Sequence, residues 1–420
     1  MSRTTFDLIA AAHADGWGRV LARMIRFTGG DWELAEECAQ DAFTAALQRW
    51  PTDGVPDRPL AWLTTTARNR AVDRMRRAAT ETAKLRTVAA TEREPAPSAA
   101  AGSVPDERLE LMFTCCHPAL ALDRQVALIL RCLAGLSTAE IARAFLVPER
   151  TMEQRLFRAK QRIAHAAVPF RVPPPHLLPQ RLPTVLAVLY LVFNQGYGDP
   201  DRAVLCAEAV RWARVLAELL PDEPEAEGLL ALVLLHEARR PARHEPTGDL
   251  VTLVRQDRAR WDRSMIDEGA AVCERALRRG RAGPFQLQAA IAACHATAPT
   301  ADATDWPQIA GLYAQLSRVM PTDVVELNRA VAIGMAGGPA SALARVDAIA
   351  ASGRIDGYYL LHATRADLLR RLGRGSEAVR CYRRAAELAP TAAERRFLFA
   401  RLHDCPIGDD PARVDLDLHP

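Results

Sequence analysis

The sequence predicts an all-α protein of several domains. Three observations carry that expectation. Strand-type alternation is nearly absent, Ala, Leu, Arg and Glu recur at helical spacing, and 49% apolar residues over 420 positions suffice to fill two to four helical cores. In chain order, residues 6–78 form a first helical block. Leu21, Met24, Ile25 and Phe27 mark one helix, ended by Gly29-Gly30-Asp31. A second helix runs from Leu34 to Trp50. Ala35, Cys38, Ala42, Ala46 and Trp50 supply its buried side, and Glu33, Glu36, Glu37, Gln40 and Asp41 its outer side. Pro51–Pro59 is a Pro/Asp/Gly loop. The third helix, Leu60–Arg77, has Trp62, Leu63, Ala67, Ala71 and Met75 on one side and Arg68, Asn69, Arg70, Arg74, Arg76 and Arg77 on the other. Guanidinium groups on such a face neutralise phosphates, and an amide can read a base edge.

Residues 79–104 are rich in Ala, Thr, Glu, Pro and Ser, a composition expected of a flexible linker. Residues 105–170 form a second block whose end, 136–163, predicts two short helices around a tight turn. Leu136, Ile141, Ala142 and Phe145 make the apolar stripe of the first, with Ser137 and Glu140 at capping-box spacing. Leu146-Val147-Pro148 breaks the pattern, because proline lacks an amide donor and restricts its predecessor. The next helix buries Met152, Leu156 and Ile163 and presents Arg150, Gln154, Arg155, Arg158, Lys160 and Arg162. An apolar back and a basic, amide-bearing front suit a helix that lies in a DNA major groove.

Val172-Pro-Pro-Pro175 is a stiff break, and residues 176–420 form a third, larger helical region. Within it, Ala366, Ala378, Tyr382, Ala385 and Pro390 sit at the offsets of a 34-residue helix–turn–helix repeat. Ala332 and Ala344 stand one period upstream, and a weaker copy ends at Pro321. Such repeats stack into solenoids. Arg239, Arg240 and Arg243, with Asp257, Arg258, Arg260, Trp261 and Asp262, are candidates to line a ligand or protein groove there.

Composition narrows the function classes. A net charge of +3 confines any DNA-binding charge to local patches. Nine scattered cysteines without CxxC pairs fit reduced thiols, and hence a cytoplasmic protein. Cys115-Cys116-His117 has no second ligand pair at zinc spacing, so neither a metal nor a cofactor is expected. The longest apolar run, Val185–Phe193, is too short to span a bilayer, and no membrane segment is expected. The sequence has no phosphate loop and no GxSxG, and an enzyme is not expected.

The order of an acidic helix with AQDAF, then AWLTTTARNRAVD, a linker, and LSTAEIARAF followed by ERTMEQRLFRAKQRI resembles the extracytoplasmic-function sigma factors of bacterial RNA polymerase. The carboxy-terminal YLVFNQGY (190–197), HEARRPAR (236–243) and RQDRARWD (255–262) look like the subgroup with a tetratricopeptide-like extension. The resemblance implies promoter DNA and core polymerase, through its β′ clamp helices and β flap, as partners, and leaves a protein or ligand for the extension open. It places Glu37, Gln40, Asp41 and Phe43 on the clamp helices. It places Arg68, Asn69, Arg70, Asp73, Arg74 and Arg77 at the −10 element, with Asn69 near a flipped base. Arg150, Thr151, Glu153, Gln154, Arg155, Phe157, Arg158 and Lys160 fall on the −35 recognition helix. Glu153 departs from the basic residue common there and can accept from a cytosine amine. The alternative reading is a stand-alone helix-turn-helix regulator with a tetratricopeptide sensor domain.

Overall fold

Asp31 opens the second helix of the chain by accepting a hydrogen bond from the Leu34 amide, and Gly54, at φ +87°, lies just beyond its end. This helix, α2 (Trp32–Asp53), packs between α1 (Arg3–Phe27) and α3 (Pro59–Leu85). The computed structural model describes residues 3–85, 107–145, 147–166, 168–197, 202–245, 247–280 and 282–405. It divides into two compact units, Met1–Trp212 and Ala213–Pro420.

In the first unit, α3 continues to Leu85, seven residues into the stretch expected to be linker. The reason is local, since no proline or glycine interrupts 79–85 and the first proline comes at 95. Residues 86–104, the rest of that expected linker, lie outside the described residues. Helices α4 (Glu107–Cys115) and α5 (Leu122–Cys132) follow, both packed on α1. Helix α5 is buried nearly all round, as a helix enclosed by neighbours must be. The helix-turn-helix is α6 (Thr138–Ala144) and α7 (Glu149–His165). Ser137 and Glu140 form the reciprocal capping box at the start of α6. Met152, Leu156, Ala159 and Ile163 are the buried stripe of α7.

Helix α8 (Leu178–Tyr197) and most of α9 (Ala203–Leu219) belong to the first unit, although the sequence places the start of the C-terminal region at 176. The apolar run in α8 explains this: Leu182, Val185, Leu186, Leu189 and Phe193 are buried, and α8 packs on α4 and α5. With its preceding turn, α8 spans 23 residues and contains an 18-residue window of mean hydropathy 1.3, long and apolar enough to cross a bilayer by length and composition. The expectation from Val185–Phe193 alone therefore understates the helix. Here its apolar face is spent on protein, and Arg181 near its start donates to the Phe113 carbonyl at 2.8 Å.

The second unit runs through α10 (Pro224–Glu237), α11 (Arg263–Leu277), α12 (Pro284–Thr297), α13 (Trp306–Val319), α14 (Asp323–Met335), α15 (Pro339–Ala351), α16 (Tyr359–Arg371), α17 (Gly375–Leu388) and α18 (Ala392–His403). Its main contacts join each helix to the next or next but one. The repeat is real but its period differs from the expected 34 residues. Helices α14 and α16 begin at 323 and 359, and α15 and α17 at 339 and 375, an offset of 36. The counterparts of buried Ala366 and Ala378 are therefore buried Ala330 and Ala342, whereas Ala344 is exposed. Gly337 (φ +109°) and Gly373 (φ +75°) end α14 and α16 at the same offset, which fixes the register.

Candidate nucleic-acid interface

Two helices carry the candidate DNA-binding residues, and a third lies between them. On α3, buried Leu63, Ala67 and Ala71 hold the helix to the core. Trp62 meets Trp50 edge-on at 5.5 Å, so it is a packing residue. Asn69, Arg70, Asp73, Arg76 and Arg77 are exposed, and Arg68 lies over the Phe27 ring at 4.9 Å. An exposed amide flanked by guanidinium groups remains available to a nucleic acid. Arg74 is differently placed: it is paired with both Glu37 and Asp41 of α2, the latter at 3.0 Å. The expected −10 face and the expected polymerase face thus share an ion-pair network.

On α2, Gln40 is exposed and donates to Glu36 at 3.3 Å. Two residues depart from the sequence expectation. Phe43 is only 6% exposed; it packs against His13 (4.9 Å between ring centroids) and Trp17 (5.7 Å), so it supports α2 from below and presents no surface to a partner. Burial lowers the His13 pKa, and Arg211 adds to that. Glu36, expected outside, is 7% exposed. Trp32, four residues before it, and Ala39 and Phe43, three and seven residues after it, are all buried, which puts Glu36 on the packed seam of α2. The spacing of these apolar neighbours was the signal available in the sequence.

Glu36 meets two cations from the second sigma-like block, Arg131 at the end of α5 and Lys160 of α7. Burial pushes its carboxyl pKa up, but the two cations outweigh that and hold it below the usual value. Further pairs bind the same blocks: Arg23 to Glu107 at 3.0 Å, and Arg26 to Glu110. The Trp17 indole donates to the Arg131 carbonyl at 3.1 Å. Gly135, at φ +68°, passes so close to α1 that a Cβ there would lie 2.7 Å from the His13 ring.

The outer face of α7 is partly open. Arg150, Glu153, Gln154, Phe157 and Arg158 are exposed, Phe157 by 51%. Thr151 is half-buried, and half-buried Arg155 lies 3.9 Å from Asp123. Lys160 is the correction on this helix: its ammonium faces Glu36, because it sits on the side of α7 turned toward α2. The open face offers cations, an amide and one large apolar side chain, the groups that contact phosphates, base edges and a thymine methyl.

The other sequence candidates make contacts within the fold. Cys115 and Cys116 are buried, and burial raises both thiol pKa values. His117 Nδ1 accepts from the Ala119 amide in the turn after α4. In the second unit, Trp261 is buried, with the Arg258 guanidinium 4.4 Å and that of Arg239 6.0 Å from its ring. Arg258 donates to the carbonyls of His295 (2.9 Å) and Ala298 (2.8 Å), Arg240 pairs with Glu237 at 2.6 Å, and Asp262 caps α11. That cluster fastens the 239–262 segment to α12.

Comparison with known proteins matches residues 15–81 to sigma-70 region 2, residues 110–163 to sigma-70 region 4, and residues 181–277 to a family of unknown function, DUF6596. "Uncharacterized protein R00370" of Rhizobium meliloti (strain 1021) is 43% identical over 392 residues, covering 91% of this chain and 92% of the relative. No solved structure matches the chain. Two helical blocks with basic outer faces, matched in order by regions 2 and 4, make this chain a member of the sigma-70 family, an extracytoplasmic-function-like factor with a C-terminal helical extension.

Proposed function

We infer that the protein, through its sigma-70 regions, acts as a sigma factor that directs promoter-specific transcription with core RNA polymerase and promoter DNA. We propose the following division of labour. Asn69, with Arg68, Arg70 and Arg77, engages the −10 element, where a base turned out of the stack is read by its edge. Arg150, Gln154, Phe157 and Arg158 engage the −35 duplex. Glu37, Gln40 and Asp41 meet the β′ clamp helices of the polymerase. The chain supplies recognition and the polymerase supplies the chemistry. The C-terminal extension tunes activity in cis.

The single observation that supports this reading is the pair of exposed amide-bearing basic faces, on α3 and α7, in separately matched domains. The free protein must open to use both. Promoter elements about 25 base pairs apart are separated by ~85 Å at 3.4 Å per base pair. Helix α7 is tied to α2 through Lys160 and Glu36, and α2 packs on α3, so the two faces are held within one compact unit. Run-off transcription with core polymerase on a promoter library tests the reading. New start sites that depend on the protein, and vanish with N69A, are expected. Initiation unchanged by the protein refutes it.

A further inference from the structure

Two adjoining hollows in the C-terminal unit, of about 200 and 320 Å³, share Met335, Ala363, Asp367 and Arg371 and form one groove. Its floor is apolar, with Met335, Ala363, Phe397 and Leu398. Four arginines line it, Arg255, Arg370, Arg371 and Arg401, against one carboxylate, Asp367. Asp367 accepts from both Arg370 and Arg371 at 2.7 Å and so offsets only one of their two charges. Arg401 lies over the Phe397 ring at 5.5 Å, and Arg255 is exposed. An apolar floor under surplus guanidinium groups suits an extended peptide that alternates aliphatic and carboxylate side chains. Successive residues of such a peptide face opposite ways, and guanidinium pairs well with carboxylate.

The chain itself carries such a peptide. Residues 406–420, outside the described residues, read PIGDDPARVDLDLHP. Val414, Leu416 and Leu418 alternate with Asp415 and Asp417, and Asp409 and Asp410 precede them. The segment follows α18, which contributes Phe397, Leu398 and Arg401 to the groove. At about 3.3 Å per extended residue, the stretch from Cys405 to Val414 reaches roughly 30 Å. Helix α18 is only about 18 Å long at 1.5 Å per residue, so the tail can turn back along it. We propose that residues 406–420 occupy this groove in cis, with the aliphatic residues toward the floor and Asp415 and Asp417 against Arg255 and Arg401. The proposal does not depend on how promoters are bound.

Fluorescein-labelled peptide 406–420, titrated into the full-length chain and followed by anisotropy, tests it. The wild-type groove is covered by its own tail and takes the peptide weakly. A full-length D409K/D410K/D415K/D417K chain leaves its groove open and takes the peptide at least tenfold more tightly. Adding R255Q and R401Q to that chain removes the gain, with circular dichroism melting to show that the fold persists. As a second measurement, hydrogen exchange of the Leu398–Leu402 amides quickens in the tail-reversed chain. Equal peptide binding by wild-type and tail-reversed chains overturns the proposal, as does a gain that survives loss of both arginines. A concentration-dependent dimer in sedimentation, abolished by the tail reversal, assigns the groove to a second copy's tail and overturns occupancy in cis.

Discussion

Glu36 of α2 and Lys160 of α7, 124 residues apart in sequence, form an ion pair that closes region 2 onto region 4. Arg131 shares the same carboxylate. Removing one partner of a buried pair leaves an uncompensated charge and typically costs about 3–5 kcal/mol. Glu36→Gln should therefore lower the stability of the free protein by an amount of that order. It should also raise the affinity of the free protein for −35 duplex DNA, because α7 is released. Urea unfolding and fluorescence anisotropy measure the two effects. A variant that loses stability without gaining DNA affinity would show that the pair supports the fold and does not restrain α7.

The same carboxylate makes closure pH-dependent. The cations hold its folded pKa below the unfolded value, which is about 4.3 for glutamate. Its contribution is fully present above that unfolded value and is lost as pH falls through the lower folded value. Unfolding free energy, followed from pH 6 downward, should fall more steeply in wild type than in Glu36→Gln. Parallel curves would mean that other carboxylates govern the acid limb.

Gly135 tests the junction without touching charge. At φ +68° an L side chain costs roughly 1–2 kcal/mol, and a Cβ would also press on His13 and Trp17. Gly135→Ala should destabilise the protein by at least that much and shift the Trp17 fluorescence. A neutral result would mean that α1 and the 132–136 turn do not pack as described.

Sequence reading succeeded where a local pattern determines the structure and failed where a distant partner does. Ser137 and Glu140 announce a capping box within four residues, and the α7 stripe of Met152, Leu156 and Ile163 follows from helical spacing alone. Glu36 looked like surface because carboxylates usually are, and only Arg131 and Lys160, far along the chain, make its burial tolerable. Resemblance to a motif places Phe43, and says what a residue meets in an assembly, whereas helical spacing puts Lys160 on the polar side of α7 without saying which neighbour that side meets. In the free chain Phe43 meets His13 and Trp17, and Lys160 meets Glu36. The 36-residue repeat was missed by two positions because alanines at 332 and 344 match the shorter period equally well, and only the helix starts separate the two.

Arg74 links the two faces of region 2 through Glu37 and Asp41. These groups are largely solvent-accessible, so the network is worth no more than about 1 kcal/mol per pair. Arg74→Ala should leave thermal stability nearly unchanged while altering polymerase binding, since it frees two carboxylates on the proposed clamp-binding face. Asp41→Arg should abolish co-elution with core polymerase in gel filtration. Unimpaired co-elution of Asp41→Arg would move the polymerase contact off α2.

Arg158 and Lys160, two residues apart on α7, should respond unequally to removal. Arg158 is exposed on the open face, whereas Lys160 is turned to Glu36. If Arg158 reads a base, Arg158→Ala costs about 1–3 kcal/mol of duplex affinity and relaxes preference at one position. A uniform loss across sequences, with the salt slope reduced by about one, would mark it as a phosphate contact. Lys160→Ala removes a latch as well as a charge, so its loss of phosphate attraction is offset by easier opening. Duplex affinity measured across a salt series should therefore fall clearly for Arg158→Ala and little or not at all for Lys160→Ala. An equal loss for both would show that Lys160 faces DNA in the working state and that the Glu36 contact imposes no measurable restraint.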